Sequence, residues 1–156
     1  MEKKRPGGWL LLGRGLITAL FLICVLFIWH NSMESAAASS ARSGKVTEVV
    51  NQVLSSLGGE GVTEHFVRKL AHFSEYGMEG VLTVLLFMIY YLKPDRRRWA
   101  VLLTGMFTAV VDESIQFFSA GRSPGIGDVC IDMIGFICGM LFVWLAGKAV
   151  KTWFRS

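Results

Sequence analysis

The chain has 156 residues, of which 53% are hydrophobic and 18% charged, and its formal net charge is +4. So large an apolar share in a chain of one-domain length exceeds what a water-soluble core can hide, and it excludes collagen-like and disordered classes as well. Cys24, Cys130 and Cys138 all fall inside apolar runs without a CxxC spacing, which excludes a disulfide framework and a thiolate zinc site.

A hydrocarbon layer about 30 Å thick is crossed by about 20 helical residues, and four stretches come near that length: residues 10–29, 73–92, 99–120 and 126–146. Each has a Trp or Tyr near one end, as membrane interfaces favour. In the first, Arg14 sits about one turn inside the end and can snorkel outward. Lys3, Lys4 and Arg5, the apolar run and the later Ser35-Ala36-Ala37-Ala38 also resemble a signal peptide. The run is long for that purpose and stands apart from the small residues, so it is read as a span.

Basic residues gather on the cytoplasmic side of membrane proteins. Here they cluster at the N-terminal end (Lys3, Lys4, Arg5, Arg14), after the second span (Lys93, Arg96, Arg97, Arg98) and in the tail (Lys148, Lys151, Arg155), whereas most acids lie between or within the spans. Both termini are therefore expected to be cytoplasmic, in a multi-pass protein of the cell membrane. Residues 30–72 and 119–127 are then extracytoplasmic. Within the first of these, Val46, Val49, Val50, Val53, Leu54 and Leu57 recur at helical spacing. They predict an amphipathic helix with Ser43 as N-cap and Gly58-Gly59 as stop, lying on the outer leaflet or packed as a lid over the spans. The expected fold is thus all-α: a polytopic membrane helical bundle with four transmembrane helices plus an extracytoplasmic amphipathic helix. Its divisions are a basic terminus (1–9), the first span (10–29), the extracytoplasmic segment (30–65), a core of three spans (66–147) and a basic tail (148–156).

Ionisable groups are expensive in lipid and usually mark protein interiors or working sites. Arg68, His72, Glu75 and Glu79 share one helical face, bordered by Lys69 and Tyr76. Asp112 and Gln116 are i, i+4 neighbours, with Glu113 about 100° around the helix from Asp112. From Trp99 to Glu113 the rise is about 21 Å, which puts these acids in the outer third of the membrane. Asp128 and Asp132 are again i, i+4, and Gly135 and Gly139 continue their face as a small-xxx-small pair suited to close helix packing. The short loop 119–127 adds Arg122, and its glycines suit a tight turn with exposed backbone N–H groups. All these groups reach one outer depth, so an outward-facing polar pocket is expected.

The run from Arg68 through His72 and Glu75 to Tyr76 resembles the VanZ-like family, as does the run from Asp112 and Glu113 through Gln116 to Arg122, followed by Asp128, Asp132 and Gly135. That family is named for a teicoplanin-resistance accessory protein of Gram-positive bacteria. The matching blocks cover residues 66–139 or so, and the stretch Trp29-His30-Asn31-Ser32-Met33 is a fainter echo of the family's polar segment behind its first span. The resemblance implies a small multi-span bacterial envelope protein. It also implies that His72, Glu75, Tyr76, Asp112, Glu113, Gln116, Arg122, Asp128 and Asp132 occupy family-defining positions, while Glu79 stands where the family has an apolar residue. Reduced susceptibility to lipoglycopeptides goes with the family, but its pattern fixes no reaction.

Three readings of the cluster stay open. It can bind an amphiphile such as a membrane lipid, a lipid-linked cell-wall intermediate or a lipoglycopeptide, with Arg68, Lys69 and Arg122 meeting phosphate or carboxylate and the acids meeting amine or hydroxyl. It can be an enzyme acting on a lipid head group, with His72 and Glu75 as acid or base and Asp112, Glu113 and Asp128 around a divalent metal. No persuasive Ser or Cys nucleophile accompanies them; His72, Glu75, Asp112 and Glu113 are only candidates for catalysis, and no cofactor or metal is assigned. Or the charges simply pair and dock the helices. Transport is disfavoured because the inner halves of the spans are nearly all apolar. Nucleic-acid binding is disfavoured because the basic residues follow the membrane topology despite an isoelectric point near 9.2.

Overall fold

The computed structural model describes residues 7–90, 94–123 and 125–153. Among them the chain is wholly helical, with α1 (Gly8–Ser32), α2 (Ala36–Ser56), α3 (Glu64–Ile89), α4 (Pro94–Phe117) and α5 (Ile126–Trp153). Lys3, Lys4, Arg5, Lys93, Arg155 and the expected end of the second span at residue 92 lie outside the described residues, as do the side chains of Asp95 and Lys151.

Among the described residues three helices are long and apolar enough to cross a membrane: Gly8–Ser32, Arg96–Phe117 and Ile126–Ala149. The expected second span, in α3, is not one of them, because His72, Glu75 and Glu79 dilute the apolar character of its first half. Yet α3 is the helix around which the others assemble, packing against α1, α2, α4 and most extensively α5. Beside a small apolar core that includes Ile28, Val101 and Phe136, much of the interior is polar, and much of the surface is apolar. Glu79, Thr83, Thr108, Asp112, Gln116 and Asp132 are buried, whereas Leu12, Leu16, Trp99, Leu103, Phe107 and Phe142 are exposed. Such an inverted distribution leaves extensive apolar surface that water penalises and lipid accepts.

Contact between α3 and α5 is nearly backbone to backbone. A Cβ added at Gly80 would overlap the backbone of Phe136, one at Gly135 that of Phe73, and one at Gly139 the carbonyl of Gly77. The small-xxx-small pair of α5 thus packs as expected, and it meets a second pair, Gly77 and Gly80. Phe136, fully buried, fills the space beside Gly105 of α4. On α1 only one stripe faces inward, from Val25 and Ile28 to Asn31 and Ser32. Arg14 does more than snorkel: its Nε donates to Ile89 O at 3.2 Å at the end of α3, and its guanidinium lies over the Tyr90 ring.

The amphipathic helix begins earlier than its apolar stripe suggests. Ser35, not Ser43, is the N-cap, its hydroxyl accepting from Ala38 N, while Ser43 lies in the second turn and donates to Ser39 O at 3.0 Å. It ends as expected: Gly58 has φ 75°, and Gly59 N donates to Leu54 O at 2.8 Å, a left-handed glycine stop. Its docking is the larger difference from a lid. The buried residues are Ser39 and Thr47, whereas Val46, Val49, Val53 and Leu57 are exposed and only Val50 and Leu54 are half-covered. The helix rests on α3 by a small polar face and turns much of its apolar stripe outward.

Candidate functional site

One end of the bundle gathers most of the polar residues, and α3 carries its share several turns inward, as far as Glu79. Asp112 is the hub. It is fully buried, accepts at Oδ1 from the Ser32 hydroxyl of α1, and accepts at Oδ2 from Gln116 Nε2 at 3.1 Å, one turn along α4. Ser119 reaches back to the same α1 terminus, its hydroxyl donating to Ser32 O at 2.7 Å. The i, i+4 pairing of Asp112 and Gln116 that the sequence indicates is therefore real, with α1 as its third party.

His72 of α3, Asp112 of α4 and Asp132 of α5 form the centre of the cluster, each offering a ligand atom within 4.8 Å of the others. His72 Nδ1 lies 3.6 Å from Asp132 Oδ1, within ion-pair reach but too long for a hydrogen bond. Both Asp132 oxygens consequently lack a hydrogen-bond partner although the side chain is 1% exposed. One turn beyond His72, the Tyr76 hydroxyl is buried without a partner. Next on this face is Glu79, fully buried. Thr108 lies beside it but donates its hydroxyl to Thr104 O at 3.0 Å, so both Glu79 oxygens are left without a donor. Glu79, where the resemblance suggested an apolar residue, thus belongs to the interior network, as its helical spacing implies.

The remaining expected residues frame this centre. Lys69 pairs with Asp128 at the outer rim, with side chains 29% and 34% exposed, and His72 is 21% exposed just beneath. Exposure therefore falls steadily from rim to centre. Glu75 accepts from Asn31 Nδ2 at 2.9 Å, and Asn31 Oδ1 in turn accepts from Arg42 at 3.1 Å. Glu113 turns away from the centre to accept from Gly125 N at 3.0 Å, so one exposed loop N–H expected from the glycines is engaged by the protein itself. Its other oxygen is buried and unpartnered beside a groove of about 410 Å³ lined by Val110, Phe117, Phe118 and Val129. A second cavity, about 390 Å³, lies at the opposite end of the bundle between Val84, Val101, Met140 and Trp144. Asp128, held by Lys69, and Glu113, held by the loop, stand outside the group of His72, Asp112 and Asp132, so the trio the sequence suggested is not the one the fold brings together.

Arg122 closes the top from the α4–α5 loop. Its Nε donates to Glu34 O and its Nη2 to Asn31 O, both at 3.3 Å, and Ala36 N donates to Ala120 O at 3.0 Å to bind the two loops together. Burial, and then the neighbouring Arg68 guanidinium, lower the Arg122 pKa from its usual value. The expected anion-gripping Arg122 is thus partly spent on backbone carbonyls. Arg68 is engaged too, facing Glu64 at 3.7 Å and Ser40 at 3.4 Å.

Asn31, Ser32, Arg42 and Ser119 are the contributors that motif spacing misses. For Asn31, Ser32 and Arg42 the only signal is the polar stretch after the first apolar run, which the family resemblance faintly echoes, whereas Ser119 lies within the second motif run. A family model, VanZ/LLP1, matches residues 16–147. The chain belongs to the VanZ/LLP1 family. The match takes in α1 as well as the three core helices, so in this VanZ/LLP1 chain the Asn31 and Ser32 contacts fall inside the family region. Neither the curated proteins nor the solved structures yield a match.

Proposed function

We propose that this VanZ/LLP1 protein binds the polar head of an amphiphile in its charged end, at the outer face of the cell membrane, and thereby lowers susceptibility to teicoplanin-type lipoglycopeptides. Membrane lipid, a lipid-linked wall intermediate and the lipoglycopeptide itself share the needed chemistry: a head bearing amine or hydroxyl donors on a long apolar tail. In this proposal α3 is the fourth span, its polar face shielded by α1, α4 and α5, and both termini are cytoplasmic. The clusters of basic residues at 3–5, 96–98 and 148–155 support that orientation.

The observation that carries the proposal is the set of buried oxygens on Asp132, Glu79 and Tyr76 that have no hydrogen-bond partner. A network whose only task is docking helices closes on itself, because each buried polar atom left open costs about 1–3 kcal/mol. This one is open at its centre. Tails have a place to lie as well, along the apolar exterior and the groove of Phe117 and Phe118.

Expression in a teicoplanin-susceptible Gram-positive host tests both parts. On a background of Cys24→Ala, Cys130→Ala and Cys138→Ala, a Gly59→Cys variant is expected to react with an impermeant maleimide in intact cells. The wild-type chain is expected to raise the inhibitory concentration of teicoplanin, with Asp132→Asn returning it to the host value at equal membrane level. No rise with the wild type, or an equal rise with Asp132→Asn, would refute the function; a thiol of the Gly59→Cys variant that stays protected until the cells are opened would refute the orientation.

A further inference from the structure

We propose that His72, Asp112 and Asp132 hold a divalent transition-metal ion, of the Zn²⁺ or Mn²⁺ kind. The three come from three different helices, and one nitrogen and two carboxylate oxygens lie within 4.8 Å of one another. Metals of this class set their ligands roughly 3–4 Å apart with bonds of about 2.0–2.2 Å, so modest side-chain rotation closes the set.

Two independent features of the surroundings point to a cation. The first is Asp132, a carboxylate 1% exposed that faces the other two ligand residues and has no hydrogen-bond donor on either oxygen. The second is a shortage of positive charge. Among the described residues near this end, Lys69 is taken by Asp128, Arg42 by Glu34 and Asn31, Arg68 by Glu64 and Ser40, and Arg122 by the carbonyls of Glu34 and Asn31. His72 is the basic group left facing two fully buried aspartates. A divalent ion balances those two carboxylates and gives Asp132 its missing partner.

Asp112 is already oriented for the task. Ser32 and Gln116 each donate to one of its oxygens, and such outer hydrogen bonds commonly fix a ligating carboxylate. An imidazole with two carboxylates suits a borderline transition metal better than Mg²⁺ or Ca²⁺, which favour all-oxygen shells. Three protein ligands also leave a coordination position for an incoming oxygen. For its purpose the ion rests on the binding function proposed above, since that position is where a phosphate or carboxylate of the head group would attach.

The ion is tested on its own, with purified full-length protein in detergent and no amphiphile added. After chelation and dialysis, Co²⁺ titration is expected to give visible ligand-field absorption saturating near one equivalent per chain and displaced by Zn²⁺. Asp132→Asn is expected to weaken binding by at least about tenfold, and Glu60→Gln, at an exposed site away from the cluster, to leave it unchanged. Pulsed electron paramagnetic resonance of the Mn²⁺-loaded wild type is expected to show nitrogen coupling from His72, lost in His72→Gln. This readout holds even if Asp132→Asn fails to fold. Absence of saturable binding, equal affinity in Asp132→Asn, or no nitrogen coupling would overturn the site. Because no amphiphile is present, such a failure would leave the head-group proposal standing, and metal binding without an effect on teicoplanin would do the reverse.

Discussion

Asp112 and Asp128 are both aspartates near the same end of the bundle, and burial makes them different in kind. Asp112 is enclosed and accepts from Ser32 and Gln116, so Asp112→Ala strands two buried donors and is expected to cost about 1–3 kcal/mol. Lys69 and Asp128 are about a third exposed, and Lys69→Met is expected to cost no more than about 1 kcal/mol. Thermal unfolding in one detergent measures both; a larger loss for Lys69→Met than for Asp112→Ala would contradict this ranking. Helical spacing made His72, Glu75, Glu79, Asp112 and Asp132 legible because period alone puts such residues on a common face. It could not separate Asp112 from Asp128, since pairing across helices depends on which neighbour arrives. Nor could it find Asn31 and Ser32: two small polar residues at the end of an apolar run look like a helix end, and only α1 docking beside α3 and α4 makes them partners of Glu75 and Asp112.

At the scale of the element, the site depends on how closely α3 and α5 approach. His72 and Asp132 are carried by these two helices, and the glycines at 77, 80, 135 and 139 let their backbones touch just below. Gly139→Ala puts a methyl group where the Gly77 carbonyl lies. The helices must separate, with an expected loss of about 1–3 kcal/mol and weakened function through a wider gap between His72 and Asp132. A Gly147→Ala control, where an added Cβ meets nothing within 4 Å, should be neutral; equal melting temperatures for the two variants would contradict the close crossing. The Gly135 and Gly139 pair could be read from spacing, but its counterpart on α3 could not, because Gly77 and Gly80 are three residues apart. The amphipathic helix was legible as an element and at its glycine stop. Its start was not, because Ser39, Ser43 and Thr47, which carry the docking face, interrupt no pattern and add no apolar signal.

The whole molecule is arranged inside out, with acids and hydroxyls at the centre and Leu, Phe and Trp at the surface. Composition alone makes the membrane environment legible, and three helices meet the requirement for crossing. The fourth span we propose, α3, is harder to read, because it carries much of the site and becomes polar in doing so. A helix surrounded by partners needs an apolar surface only where lipid touches it. A membrane protein can therefore place a helix with a charged face at its centre. Most of the cations at the charged end are committed to named partners while central oxygens are not, and this imbalance separates a binding site from a set of helix-docking ion pairs. Native mass spectrometry of gently extracted wild type beside Asp112→Asn and Asp132→Asn tests that distinction most directly. An amphiphile bound to the wild type and lost from both folded variants is the expected result. Bare wild-type protein, or the same bound mass in all three, would contradict it.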